Sequence, residues 1–157
     1  MNNRDEYGEE FPHNHLIQIL LFVIYLVIWI PDSLIFHFTT FLTNTIPFLL
    51  HVTIGAIIFV IGLVLMELAH RELFEKKLSG LITTGILSHT RHPMYFGTIL
   101  AYLGGIIGTL SLITLIPWLL SVILYYKMAT YEEQKLEEKY GQEYLEYKKK
   151  VPKWISR

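Results

Sequence analysis

The chain has 157 residues, 52% of them hydrophobic and 17% charged, with a mean hydropathy of +0.40. Its length fits one domain, and its formal net charge of −1 offers no basic excess for a nucleic-acid partner. With no cysteine there is no disulfide, thiolate metal site or cysteine nucleophile, and the seven histidines show no metal-ligand spacing, so no metal is expected.

Residues 1–15 are polar and acidic, carrying Asp5, Glu6, Glu9 and Glu10 against Arg4. A signal peptide would begin with a basic region, so this is read as a retained N-terminal tail. A first span covers 16–30, apolar except for Gln18, and is expected to end at Pro31-Asp32. Residues 32–46 hold no Lys or Arg and read as a connection on the far side of a membrane. The second span, 47–66, has His51 as its only ionisable group, with Pro47 suited to the first helical turn. Charged residues from Glu67 to Lys77 then mark an exit into water.

Gly85-Ile-Leu-Ser-His-Thr-Arg-His-Pro-Met-Tyr-Phe-Gly97 is a polar island, Ser88 to Pro93, between apolar runs. It leads into a third span, 93–110. There Gly97, Ala101 and Gly105 recur every four residues, and Gly104 and Gly108 add to the same broad side, a pattern that lets a second helix approach closely. A short turn precedes a fourth span, 115–131, so spans three and four form a tight antiparallel hairpin. No breaker occurs before Gly141, so the fourth helix continues out of the membrane for about three turns. A shorter amphipathic piece, 142–151, ends at Pro152.

The expected fold is therefore an all-α integral membrane protein of about four transmembrane helices, with a C-terminal helical hairpin and a cytosolic helical extension. Four spans place all thirteen Lys and Arg residues on one side, which the positive-inside rule makes cytoplasmic, together with both termini.

Two groups could carry chemistry. Arg91-His92-Pro93-Met94-Tyr95 reads as a juxtamembrane anchor of snorkelling Arg, helix-starting Pro and belt Tyr, or as an anion site at a helix start. His92 and Tyr95, three apart, can face one pocket. Glu132-Glu133 reads as a solvated charge run or as carboxylates at membrane-edge depth that hold an ammonium or a ribose hydroxyl.

Together these motifs resemble the isoprenylcysteine carboxyl methyltransferase family and its prokaryotic relatives, including phospholipid methyltransferase-like enzymes. The resemblance rests on Gly85, Arg91-His92-Pro93-Met94-Tyr95-Phe96-Gly97, Glu132-Glu133 and Tyr140-Gly141-Gln-Glu-Tyr144-Leu-Glu-Tyr147-Lys-Lys-Lys-Val-Pro152, and covers residues 79–152. It implies one membrane methyltransferase domain, 16–157, using S-adenosyl-L-methionine, with a cytosolic cofactor region at 70–93 and 132–157. It further implies cofactor contacts from Leu81, Ile82, His92, Pro93, Met94, Tyr95, Glu132 and Glu133. The family's substrate arginine position is here Met128, Lys127 lies about 100° around the helix from it, and a position often aromatic in the family is Leu87. The acceptor would be lipophilic and enter from the bilayer: a prenylcysteine carboxylate, or a phospholipid amine or small hydrophobic thiol. No residue stands out as a general base. A non-catalytic scaffold, associating through its glycine face and binding lipid through Lys148-Lys149-Lys150, is the reading from another class.

Overall fold

The computed structural model describes residues 11–75 and 80–154, so most of the expected N-terminal tail lies outside the described residues. The described residues form helices and turns with no strand. Five α-helices follow in order: α1 Asn14–Ile30, α2 Phe48–His70, α3 Pro93–Thr109, α4 Leu115–Tyr140 and α5 Gln142–Lys150. The segments Asn14–Asn44 and Phe48–Phe74 are long and apolar enough to cross a membrane. Most of their side chains face outward, among them Val27, Leu34 and Leu49. An outward apolar surface of that extent suits lipid rather than water.

α1 does not end at Pro31 as expected. The chain keeps coiling through one wide turn, Pro31–Phe36, closed by His37 N–H donating to the Asp32 carbonyl (3.0 Å). Proline has no N–H and its ring crowds the turn before it; winding wider relieves both. His37 then stops the helix in the left-handed region (φ 54°). The turn buries the Asp32 carboxylate, which accepts from Thr39 N–H (2.9 Å), Thr39 Oγ1 (2.6 Å) and Ser111 Oγ (2.6 Å). Asp32 thereby ties the α1–α2 connection to the α3–α4 turn. Pro47 caps α2 with ψ 130° instead of entering its first turn.

α3 is the central helix, and its small residues split between two partners. Gly97, Ala101, Gly104 and Gly108 meet α2 at Gly55 and Gly62, so closely that a Cβ on Gly55 would lie 2.4 Å from Gly108 N. Gly105 instead faces α1, where a Cβ would meet the Tyr25 hydroxyl at 2.6 Å. That hydroxyl donates to the Tyr102 carbonyl (2.8 Å), and the two rings stack at 4.4 Å. The glycine face is thus used inside the chain.

α3 and α4 form the expected hairpin around Leu110 (φ 53°). α4 runs unbroken for 26 residues until Gly141 (φ 54°) ends it. Leu21 of α1, Tyr95 and Ile99 of α3, and Tyr125, Met128 and Ala129 of α4 make the main core; Tyr144, Tyr147 and Val151 pack a second one with Leu81 and Leu136.

The α2–α3 crossing is asymmetric. A Cβ on Gly108 has its nearest neighbour at 3.9 Å. Gly55→Ala is expected to destabilise by about 1–3 kcal/mol through overpacking, and Gly108→Ala to be near neutral. Thermal unfolding of the two variants in one detergent measures the contrast.

Candidate functional site

The polar island is held by the end of the chain. Arg91 N–H donates to the Pro152 carbonyl (3.0 Å), and the Lys153 carbonyl accepts from His92 N–H (3.3 Å) and Thr90 Oγ1 (2.9 Å). His92 is non-helical (φ −128°, ψ 61°) and Pro93 opens α3, as its fixed φ and missing N–H favour. Gly85, at φ +57°, is required where it stands: a Cβ would lie 2.5 Å from the carboxylate of buried Glu72, which accepts from Thr84 Oγ1.

Arg91 neither snorkels nor waits for an anion. Its side chain is 8% exposed. Nε and Nη2 donate to Glu133 Oε1 (3.1 and 2.8 Å), and Nη1 donates to the carbonyls of Lys148 (2.9 Å) and Val151 (2.7 Å). Glu133, 3% exposed, also lies 3.2 Å from His92 Nε2 and 3.6 Å from Lys153 Nζ. Burial alone would raise the Glu133 pKa, but the hydrogen bonds and charges of His92 and Arg91 outweigh it and hold the carboxyl at about 2. Burial lowers the His92 pKa below its usual value, and its contact with Glu133 offsets only part of that. The imidazole is therefore neutral at pH 7, with its proton assigned to Nε2, the nitrogen within hydrogen-bond distance of Glu133.

Glu132 points the other way. Its Oε2 lies 3.6 Å from His92 Nδ1, and its Oε1 accepts a short hydrogen bond from Tyr95. The Tyr95 ring stacks on His92 (5.9 Å) and on Tyr125 (5.2 Å). Asn14 Nδ2 donates to the Tyr95 hydroxyl (3.2 Å), and Gln18 Nε2 donates to Asn14 Oδ1 (2.5 Å).

These groups surround a cavity of about 500 Å³, a size that accommodates a small-molecule ligand. Of the residues expected to contact a cofactor, Leu81, Ile82, His92, Pro93, Met94, Tyr95 and Glu132 line it. Glu133 does not; it sits behind the wall, paired with Arg91. Met128 is also absent from the wall, 1% exposed in the same core cluster as Tyr95 and Tyr125, and Lys127 is exposed. Leu87 lines the cavity while its carbonyl accepts from the Tyr147 hydroxyl (2.6 Å).

Sequence reasoning missed the α1 side of this wall. Asn14 and Gln18, four apart, line the cavity with the end of α2 and with Tyr140, Tyr144 and Tyr147. The available signal was Gln18, a lone polar residue in an apolar span, which is costly there without a role. Among the described residues the wall carries one acidic side chain, Glu132, one guanidinium, already committed in Arg91, and no lysine. No group of three or more metal-ligating side chains occurs among the described residues.

Arg91→Ala would leave Glu133 buried with its main counter-ion gone, so a loss of about 3–5 kcal/mol is expected. Glu133 has a depressed pKa, so its contribution is complete above its ordinary value of 4.5 and lost as pH falls toward about 2. His92, also depressed, has the same sign, its contribution being complete above 6.5. Unfolding midpoints measured against pH should show a low-pH limb that flattens in Glu133→Gln.

The chain matches the DUF1295 family, described as a protein of unknown function, over residues 1–151. That family includes steroid 5-alpha reductase-like membrane proteins, and the match does not name isoprenylcysteine methyltransferases. No curated protein and no solved structure matches the chain.

Proposed function

The chain belongs to the DUF1295 family, and we propose that it is an integral-membrane methyltransferase that takes S-adenosyl-L-methionine from the cytosol and a lipophilic acceptor from the bilayer. One observation carries this reading. Three stretches far apart in sequence, 81–82, 92–95 and 132, meet on one cavity whose only acidic wall residue among those described is Glu132. When bound, S-adenosyl-L-methionine supplies a methyl group on a cationic sulfonium, ready for in-line displacement.

The protein's own part is placement and exclusion of water. Glu132, fixed by Tyr95, offers a carboxylate to an ammonium or a ribose hydroxyl. Neutral His92 adds a polar edge without adding charge. Leu81, Ile82 and Leu87 supply apolar wall for a flat ring. In this reading α3 and the first part of α4 complete four spans, both termini are cytosolic, and the cavity opens where α1 and the end of α2 reach the inner leaflet.

The steroid reductase-like members suggest a hydride-transfer alternative. A dinucleotide hydride donor carries several phosphate charges and needs free cations to hold them. With Arg91 committed to Glu133 and no lysine on the described wall, the electrostatics favour a cationic ligand instead. The scaffold reading leaves the convergence of His92, Tyr95 and Glu132 on a cavity without a purpose.

Calorimetry on the protein in nanodiscs separates these readings. S-adenosylhomocysteine should bind in the micromolar range, and Glu132→Ala should weaken binding by about 1.5–3 kcal/mol, as for loss of a charged hydrogen bond. Binding of NADPH in its place would select the reductase reading. Binding of neither by the folded protein would leave the scaffold.

A further inference from the structure

In the reading above the cavity opens toward the inner leaflet between α1 and the end of α2, so a polar ligand from the cytosol needs another way in. On the other side the wall is made by Tyr140, Tyr144 and Tyr147, at the end of α4 and along α5. The segment 142–154 is joined to α4 by one residue. Gly141 stands at φ 54° and ψ −124°, a conformation open to glycine and strained for other residues. A Cβ there would have no neighbour within 4 Å, so conformation and not space requires the glycine.

The segment closes on the polar island. The Tyr147 hydroxyl donates to the Leu87 carbonyl (2.6 Å), and the Pro152 and Lys153 carbonyls accept from Arg91 N–H (3.0 Å) and His92 N–H (3.3 Å). Arg91 Nη1 adds its bonds to the carbonyls of Lys148 and Val151. Leu87, Arg91 and His92, the island residues held in this way, themselves line the cavity. Every acceptor in these contacts is a main-chain carbonyl, which water can satisfy once it is exposed. Arg91 keeps Glu133 as its partner with or without Lys148 and Val151, so release orphans neither charge. Toward α4 the segment adds Lys153 Nζ donating to Thr130 Oγ1 (2.8 Å) and an ion pair of Lys148 with Glu137 (3.3 Å).

The closed position leaves groups unsatisfied. Among the described residues three buried side-chain polar atoms have no hydrogen-bond partner, and two of them, the Tyr144 hydroxyl and Trp154 Nε1, belong to this segment. A donor buried without a partner loses its hydration and gains nothing in return. Opening brings both groups toward water. We infer that residues 142–154 form a clasp, hinged at Gly141, that swings off Leu87, Arg91 and His92 to admit the cytosolic ligand and then closes over it. The identity of that ligand rests on the methyltransferase reading.

The test ties the hinge shut. The chain has no cysteine, so Glu137→Cys with Lys148→Cys places one thiol on each side of Gly141, where a bis-methanethiosulfonate reagent links them and a reducing agent releases them. Binding and release of labelled S-adenosylhomocysteine are timed on the full chain in nanodiscs. Linking before loading should slow association at least about tenfold, and linking after loading should slow dissociation as much, with Kd kept within about twofold and both rates restored on reduction. Linked and reduced rates within about twofold of each other overturn the clasp. Hydrogen exchange on the unsubstituted protein is the second measurement and needs no ligand. The amides of Arg91 and His92, bonded across the closure, should exchange at least about tenfold faster than those of Ile99 and Ala101 inside α3. Equal protection overturns the clasp whatever the double-cysteine variant does. Failure of the unsubstituted protein to bind S-adenosylhomocysteine overturns the methyltransferase reading, and exchange alone then decides the clasp.

Discussion

The buried pair between Arg91 and Glu133 is the constraint on which the site depends. A guanidinium and a carboxylate this deep are tolerated only when their hydrogen-bonding capacity is met, and here four chain segments are recruited to meet it. Arg91 stands at the start of α3 and Glu133 in the emergent part of α4. The carbonyls of Lys148 and Val151 close the arrangement from α5 and the tail. Such a pair adds little net stability compared with an apolar contact; its effect is geometric. With Glu133 fixed behind the wall, the next residue back along α4 is turned by about 100°, and Glu132 emerges into the cavity. His92 is held by its Nε2 contact with Glu133 and by stacking on Tyr95.

Much of this was legible in the sequence. Apolar runs bounded by Pro93 and Gly141 defined the hairpin and its extension, because proline opens helices and glycine closes them. The approach of the 91–95 island to Glu132 followed from resemblance and from the spans placing both at one face. Which glutamate would face the cavity was not legible. Two adjacent identical residues carry no contrast, and the deciding partners are backbone carbonyls 57 and 60 positions from Arg91. The role of Asn14 was hidden because a polar residue just before an apolar run looks like tail. Pro31 misled for a local reason: a rule about helix interiors ignores that one wider turn can absorb a proline.

The glycine face shows the same limit in quantitative form. Residues spaced by four drift about 40° per step around a helix of 3.6 residues per turn. Relative to Gly97, Ala101, Gly104 and Gly108 therefore stay within about 40°, and Gly105 lies about 80° away. The first set meets α2 and Gly105 meets Tyr25 of α1, so α3 can be approached closely from two sides. Two ring stacks lie along this interior, Tyr25 on Tyr102 and Tyr125 on Tyr95 on His92, the second reaching the cavity.

The distribution of charge along the helix axis explains why the cavity sits at their end. Along the middle of the helices the buried polar side chains are Tyr25, His51, Tyr102, Ser121 and Tyr125, all able to be neutral. Among the described residues the buried carboxyl and guanidinium groups lie at the edges: Asp32 at one, where Thr39 and Ser111 satisfy it, and Arg91, Glu133 and Glu72 at the other. A cationic small molecule drawn from water can be held at such an edge at far lower desolvation cost than at the midplane. The amide pair on α1 extends that polar edge one turn into the apolar span without placing a charge there.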